Sequence, residues 1–223
     1  MSLQKAAKEF ADKLNNLVDS TIHTNMQFVI DTTGSNDHMI VHTARSGTPR
    51  FKELPLIRED EDPNVPALLL HVKFIVEMDD ENTRLRVERS TISLWVDITR
   101  GRKKPRPLVR VEYDRRRNTK DGAAAHVHLH ANSPEMAWIY GSSGQPAPDL
   151  YSLHFPVGGQ QFRPTFEDFL LFLEREKLYT NFKQGWKTAV LASLQEWKHA
   201  QAASTVRHYP HTAAETLTRL GYL

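Results

Sequence analysis

The chain has 223 residues, enough for one large domain or one domain with a small appendage, and its 29 basic and 27 acidic residues leave a formal charge of +2. Hydrophobic residues at 39% and charged residues at 25% are globular proportions, so nucleic-acid binding would have to come from where the basic residues sit, not from their number. The absence of cysteine excludes disulfides, thiolate zinc sites, cysteine-held iron–sulfur clusters and a cysteine nucleophile.

From the N-terminus, Met1-Ser2-Leu3-Gln4-Lys5-Ala6-Ala7-Lys8-Glu9-Phe10 scatters lysines where a secretory signal would have an apolar run. Leu3, Ala7, Phe10, Leu14, Leu17 and Thr21 recur at three- and four-residue steps, which predicts a helix over 2–21. Two short β-prone runs, 26–31 and 39–43, flank Thr33-Gly34-Ser35-Asn36-Asp37 and predict a hairpin. Residues 44–66, with Pro49, Pro55, Pro63, Pro66 and the run Glu59-Asp60-Glu61-Asp62, read as a surface loop. The stretch around Ala67-Leu68-Leu69-Leu70, broken by His71 and Lys73, is far short of the ~20 residues a membrane helix needs. The expectation is a soluble, cytoplasmic protein without a membrane partner.

Over 68–78 apolar and polar residues alternate with the period of a half-buried strand. The next run, 85–98, slips phase near Arg89-Ser90, as a β-bulge or a break between strands would require. Further strands are predicted over 108–114, 125–131 and 150–157, and Thr165 with Asp168 three residues on has the pattern of a helix N-cap. Helices are then expected over 166–173 and roughly 180–200, with a short one from Thr212. The fold class is α+β: an antiparallel meander with helices packed on one face. Residues 1–178 form the α+β domain and 179–223 a helical extension packed on it.

The chemistry concentrates in Ala125-His126-Val127-His128-Leu129-His130. Alternation sends His126, His128 and His130 to one face and Val127 and Leu129 to the other. The preceding strand divides likewise, Val109, Val111 and Tyr113 against Arg110, Glu112 and Asp114. If the two pair, as consecutive strands usually do, the three histidines share a polar face with the charged trio. His154, His71 and Lys73 can join it by the same logic. Neighbours at i and i+2 lie ~7 Å apart and the outer histidines ~14 Å apart, so one ion takes an adjacent pair plus a third group such as Glu112 or His154. Catalytic candidates are therefore His126, His128, His130, Glu112 and Asp114, with His126 and His128 as ligands of a divalent metal ion. Without metal, an imidazole could serve as acid, base or nucleophile.

Arg110, His154 and Arg163 are candidate substrate contacts, Arg163 because it precedes a helix N-terminus, where anions are favoured. Basic clusters at Arg100, Arg102, Lys103, Lys104 and Arg106, and at Arg115, Arg116 and Arg117, lie at opposite ends of a meander. Trp186 and Trp197 fall on one helical face, suited to core packing or to a partner or dimer surface.

His126-Val127-His128-Leu129-His130-Ala131-Asn132 resembles the histidine-triad motif, which would imply nucleotide hydrolysis or transfer with His128 as nucleophile, although Asn132 is polar where that motif is apolar. More broadly, successive strands ending in Arg110, Tyr113 and Asp114, then the histidine cluster and a helix beginning Thr165-Phe166-Glu167-Asp168-Phe169-Leu170, resemble the TumE-like toxins of toxin–antitoxin modules over about residues 65–175. That resemblance implies a growth-inhibiting protein restrained by a partner and acting on RNA or nucleotides. Two functions stay open: a histidine- or metal-dependent hydrolase or transferase of RNA or a nucleotide, and a non-catalytic protein-interaction module.

Overall fold

A computed structural model describes residues 1–24, 26–34, 37–45, 54–56, 67–97, 104–117, 123–131, 155–158 and 163–223. In chain order the elements are α1 (Leu3–Thr21), β1 (Met26–Thr32), β2 (Met39–Arg45), β3 (Leu54–Leu56), β4 (Ala67–Met78), β5 (Leu85–Asp97), β6 (Arg106–Asp114), β7 (Ala125–Leu129), β8 (Phe155–Gly158), α2 (Phe166–Arg175), α3 (Trp186–His208) and α4 (Pro210–Arg219). The strands form one antiparallel sheet in the order β1-β2-β4-β5-β6-β7-β8. The short β3 continues the place of β2 along β4, pairing Leu54–Leu56 with Leu70–Leu68 while β2 pairs with Val76–Lys73. The expectation of a plain loop over 44–66 is thus corrected. Among the described residues Pro55 sits in a strand paired to β4 alone, where its missing N–H breaks no ladder on the other side.

Alternation decides which face is core. Leu68, Leu70, Val72, Phe74 and Val76 of β4, Ile92 and Leu94 of β5 and Val109 of β6 are all buried and pack with Ala7, Ala11, Leu14, Leu17 and Val18 of α1 and Phe166, Phe169, Leu170 and Leu173 of α2. Alanines at three core-facing positions bring α1 close to the sheet, and Phe74 sits at the centre, edge-on to Phe10 at 5.2 Å and tilted against Phe28 at 6.3 Å. Asn15 of α1 satisfies the edge strand: its Nδ2 donates to Phe28 O at 3.0 Å and its Oδ1 accepts from Phe28 N at 2.6 Å. The helix after Thr165 starts with the expected reciprocal cap, Asp168 N donating to Thr165 Oγ1 at 3.0 Å and Thr165 N to Asp168 Oδ2 at 3.1 Å.

The phase slip near Arg89 is a bulge within one continuous strand. Ile75 faces Arg89 and Val76 faces Val87, leaving Glu88 as the extra residue. Its buried carboxyl is paired with Arg116, while burial and the neighbouring Glu77 push its pKa up. On the C-terminal side, Tyr179 and Val190 belong to the same core as the sheet, and Trp186 stacks on Phe182 at 4.0 Å. Beyond Leu194 the chain leaves that core: α4 buries no residue. No helix among the described residues is long and apolar enough to cross a membrane.

Candidate metal centre

On the face away from the helices, register assembles side chains from distant parts of the chain into transverse rows. His71, Ser93, Arg110 and His128 lie opposite one another on β4, β5, β6 and β7. The adjacent row is His42, Lys73, Thr91, Glu112 and His126, beginning on β2. The proposed pairing of β6 with β7 is therefore present, and Arg110 and Glu112 share a face with the histidines.

Glu112 stands directly across from His126 and diagonally from His128, the two positions from which cross-strand side chains meet. Its Oε2 is 3.2 Å from Nε2 of each histidine. The two rings pack edge to face with centroids 5.0 Å apart, closer than backbone spacing alone implies because both lean toward the carboxylate. Oε1 of Glu112 is 3.2 Å from Arg110 Nε. The hydrogen bond with His126, aided by the charges of Arg110 and His128 and opposed by burial, holds the Glu112 pKa down to about 2.

Unlike the solvated sheet face that polar alternation also allows, the two histidines of this cluster are withdrawn from water, while Glu112 stays partly exposed. His126 is 1% and His128 3% exposed. The Nδ1 of His126 lies 3.0 Å from Ala123 O, and a carbonyl only accepts, so Nδ1 carries a proton and Nε2 is the atom turned to Glu112. A neutral ring in that tautomer turns its Nε2 lone pair toward Glu112 Oε2 and Arg117 Nη1, the position from which it could also bind an ion. One ligand atom from each of Glu112, His126 and His128 lies within 4.8 Å of the others. In a tetrahedral zinc site with bonds of ~2.0–2.2 Å, ligand atoms lie about 3.3 Å apart, close to the two 3.2 Å separations here. Two imidazoles and one carboxylate leave coordination positions open, and a histidine ligand usually donates its other nitrogen to a carbonyl or carboxylate that fixes the ring's orientation.

A cavity of about 280 Å³ adjoins the cluster, lined by Lys73, Arg89 and Arg117 as well as Glu112, Asp114 and His126. Nη1 of Arg117 comes to 3.4 Å from His126 Nε2. Asp114 shares the cavity but is turned to Arg89 Nε at 3.2 Å and accepts from Arg116 N at 3.1 Å, so it positions arginines instead of joining the histidines. His130 lies just past the strand; its N–H donates to Leu108 O at 3.0 Å, and burial followed by Arg110 and His128 lowers its pKa. It stays outside the three-residue cluster. Leu129, expected on the core face, is instead 39% exposed at the end of β7.

Arg163 needs the largest correction. Its guanidinium lies over the rings of Phe74 at 5.8 Å and Trp197 at 4.1 Å, on the helical face. The chain crosses to that side before α2, so Arg163 cannot hold a substrate at the histidines. His154 and the cluster from Arg100 to Lys103 lie outside the described residues.

Sequence reasoning missed His42, Asp31 and Arg89, whereas Arg117 belongs to the basic triplet that leads into the histidine strand. His42 Nε2 is 2.7 Å from Asp31 Oδ2 and its Nδ1 3.1 Å from Thr43 O, both on the β1–β2 hairpin. The polar residue inside 39–43 was the available signal, but the pairing of β2 with β4 across the intervening segment is not legible locally. His71, expected on this face, is there: its Nδ1 is 3.2 Å from Ser93 Oγ, which also accepts from Trp95 Nε1 at 2.9 Å. Burial, then Lys73, His42 and Arg110, lowers the His71 pKa to about 4. Comparison with known proteins finds no matching family model, curated protein or solved structure.

Proposed function

We propose that the chain is a metal-dependent hydrolase or transferase of a phosphate-containing substrate, a nucleotide or single-stranded RNA, with Glu112, His126 and His128 as ligands. The observation that carries this reading is the convergence of the three donor atoms, with the His126 tautomer set by Ala123. A divalent ion held there would polarise a phosphoryl oxygen and lower the pKa of a bound water. Arg110, on the second carboxylate oxygen, orients Glu112 toward the histidines. Lys73, Arg89 and Arg117 give the adjoining cavity the cationic lining that phosphate oxygens require. The cavity's size favours a mononucleotide or the terminus of a single strand over a duplex. The resemblance to TumE-like toxins would make RNA or a nucleotide the substrate and growth inhibition the cellular readout.

A second reading, the non-catalytic interaction module, draws on one feature. Leu217, Leu220 and Tyr222 at the C-terminal end are 38%, 62% and 75% exposed and would suit a protein partner or homodimer.

Metal analysis of purified protein after exposure to zinc, manganese or nickel separates the two. The enzyme reading expects about one equivalent bound, lost in His126→Ala, His128→Ala and Glu112→Gln, with hydrolysis of a nucleotide or short RNA lost in parallel. Protein that takes up none of these ions ends the metal version. Unchanged biological activity in the His126→Ala/His128→Ala/His130→Ala variant ends the enzyme reading altogether.

A further inference from the structure

The helical face holds a second cavity, about 590 Å³, between α1, α3 and the sheet. Its inner wall is aromatic, from Phe10, Phe74, Phe166 and Trp197, and Arg163 sits among these rings. Arg163 is only 9% exposed, and among the described residues its buried Nε finds no hydrogen-bond acceptor. Glu167, also 9% exposed, is turned to Ser193, whose Oγ donates to Glu167 Oε1 at 2.5 Å. A buried guanidinium nitrogen without an acceptor is an expensive arrangement, and a bound acceptor would relieve it. Burial depresses the Arg163 pKa to about 10, so the group remains a cation at neutral pH.

Charge chooses the ligand. The cavity's lining holds as many carboxylates as arginines and lysines, six of each, so a monoanion on Arg163 disturbs that balance less than a dianionic phosphate would. The planar fork of a guanidinium fits a carboxylate, and the aromatic wall fits an apolar tail. We propose that this cavity binds an amphiphilic monocarboxylate, with its carboxylate on Arg163 and its hydrocarbon against Phe10, Phe74 and Trp197. The site lies on the opposite side of the sheet from the histidines and does not depend on their role.

Decanoate and its uncharged counterpart decanamide, titrated calorimetrically into the full chain, test the proposal. Decanoate should bind at least tenfold more tightly than decanamide, and Arg163→Met, which keeps the side chain's length without its charge, should abolish that preference. Because Arg163 lies in the core and its variant can fail to fold, a second variant locates the ligand without touching it. The chain has no cysteine, so Ser204→Cys, at the cavity's rim, gives a single thiol. Decanoate should slow its reaction with a bulky maleimide, and the adduct should block decanoate binding. Absence of decanoate binding, equal binding of acid and amide, or a thiol whose reactivity ignores decanoate would each overturn the assignment.

Discussion

The two faces of this sheet are built from the same strands by the same alternation, yet they put their buried residues to different ends. The helical face buries Val72, Phe74, Ile92 and Leu94 against α1 and α2, and its contribution is area removed from water. The other face buries His42, Ser93, His126 and His128, whose polar atoms must each find a partner and add little net stability in doing so. Burial that costs stability on one face while the other supplies it is what the proposed metal site would require.

That contrast can be broken first at Phe74. Phe74→Ala should destabilise the chain by ~3–5 kcal/mol, measured by denaturant unfolding, because it empties the centre of the aromatic cluster. The corresponding operation on the polar face should behave oppositely. Replacing Glu112, His126 and His128 together by leucine should leave stability within ~1 kcal/mol of the parent, or raise it, while metal uptake disappears. A loss as large as that of Phe74→Ala would make the cluster structural.

A smaller effect lies at the edge. Asn15→Ala removes both bonds to the Phe28 backbone and should cost ~1–3 kcal/mol by the same unfolding measurement. The pH dependence sharpens the comparison further. Native His71 protonates only near pH 4 whereas the unfolded residue does so near 6.5, so the unfolded chain binds more protons between those values. Stability should therefore fall as pH drops from 6.5 toward 4, and His71→Gln should flatten that part of the curve. Glu112, held down to about 2 from 4.5, adds a second loss below pH 4.5, which Glu112→Gln should remove.

Much of this was legible in the sequence because it depends on local rules. Alternation in β4 gave the core face, the slip near Arg89-Ser90 allowed a bulge or a break and the register makes it a bulge, and the Thr165–Asp168 spacing gave the start of α2. The sharing of a face by Glu112, His126 and His128 followed from alternation plus pairing of consecutive strands. What escaped depends on long-range geometry. Alternation assigns a side, not its cover, so the burial of His126 and His128 could not be read. The register that brings His42 beside Lys73 spans a segment whose prolines disguise β3 as loop. Arg163 was drawn to the wrong side because the position of a helix N-terminus does not reveal which face of the sheet its chain crosses to.

The central claim is that Glu112, His126 and His128 ligate one divalent ion. X-ray absorption at the zinc edge of zinc-loaded protein measures this directly. Two imidazole nitrogens at ~2.0–2.1 Å and carboxylate oxygen at ~2.0–2.2 Å should surround the zinc, and His126→Ala protein, which should take up none, should give no such signal. Unmutated protein that takes up no zinc, or a shell without imidazole, would contradict the claim.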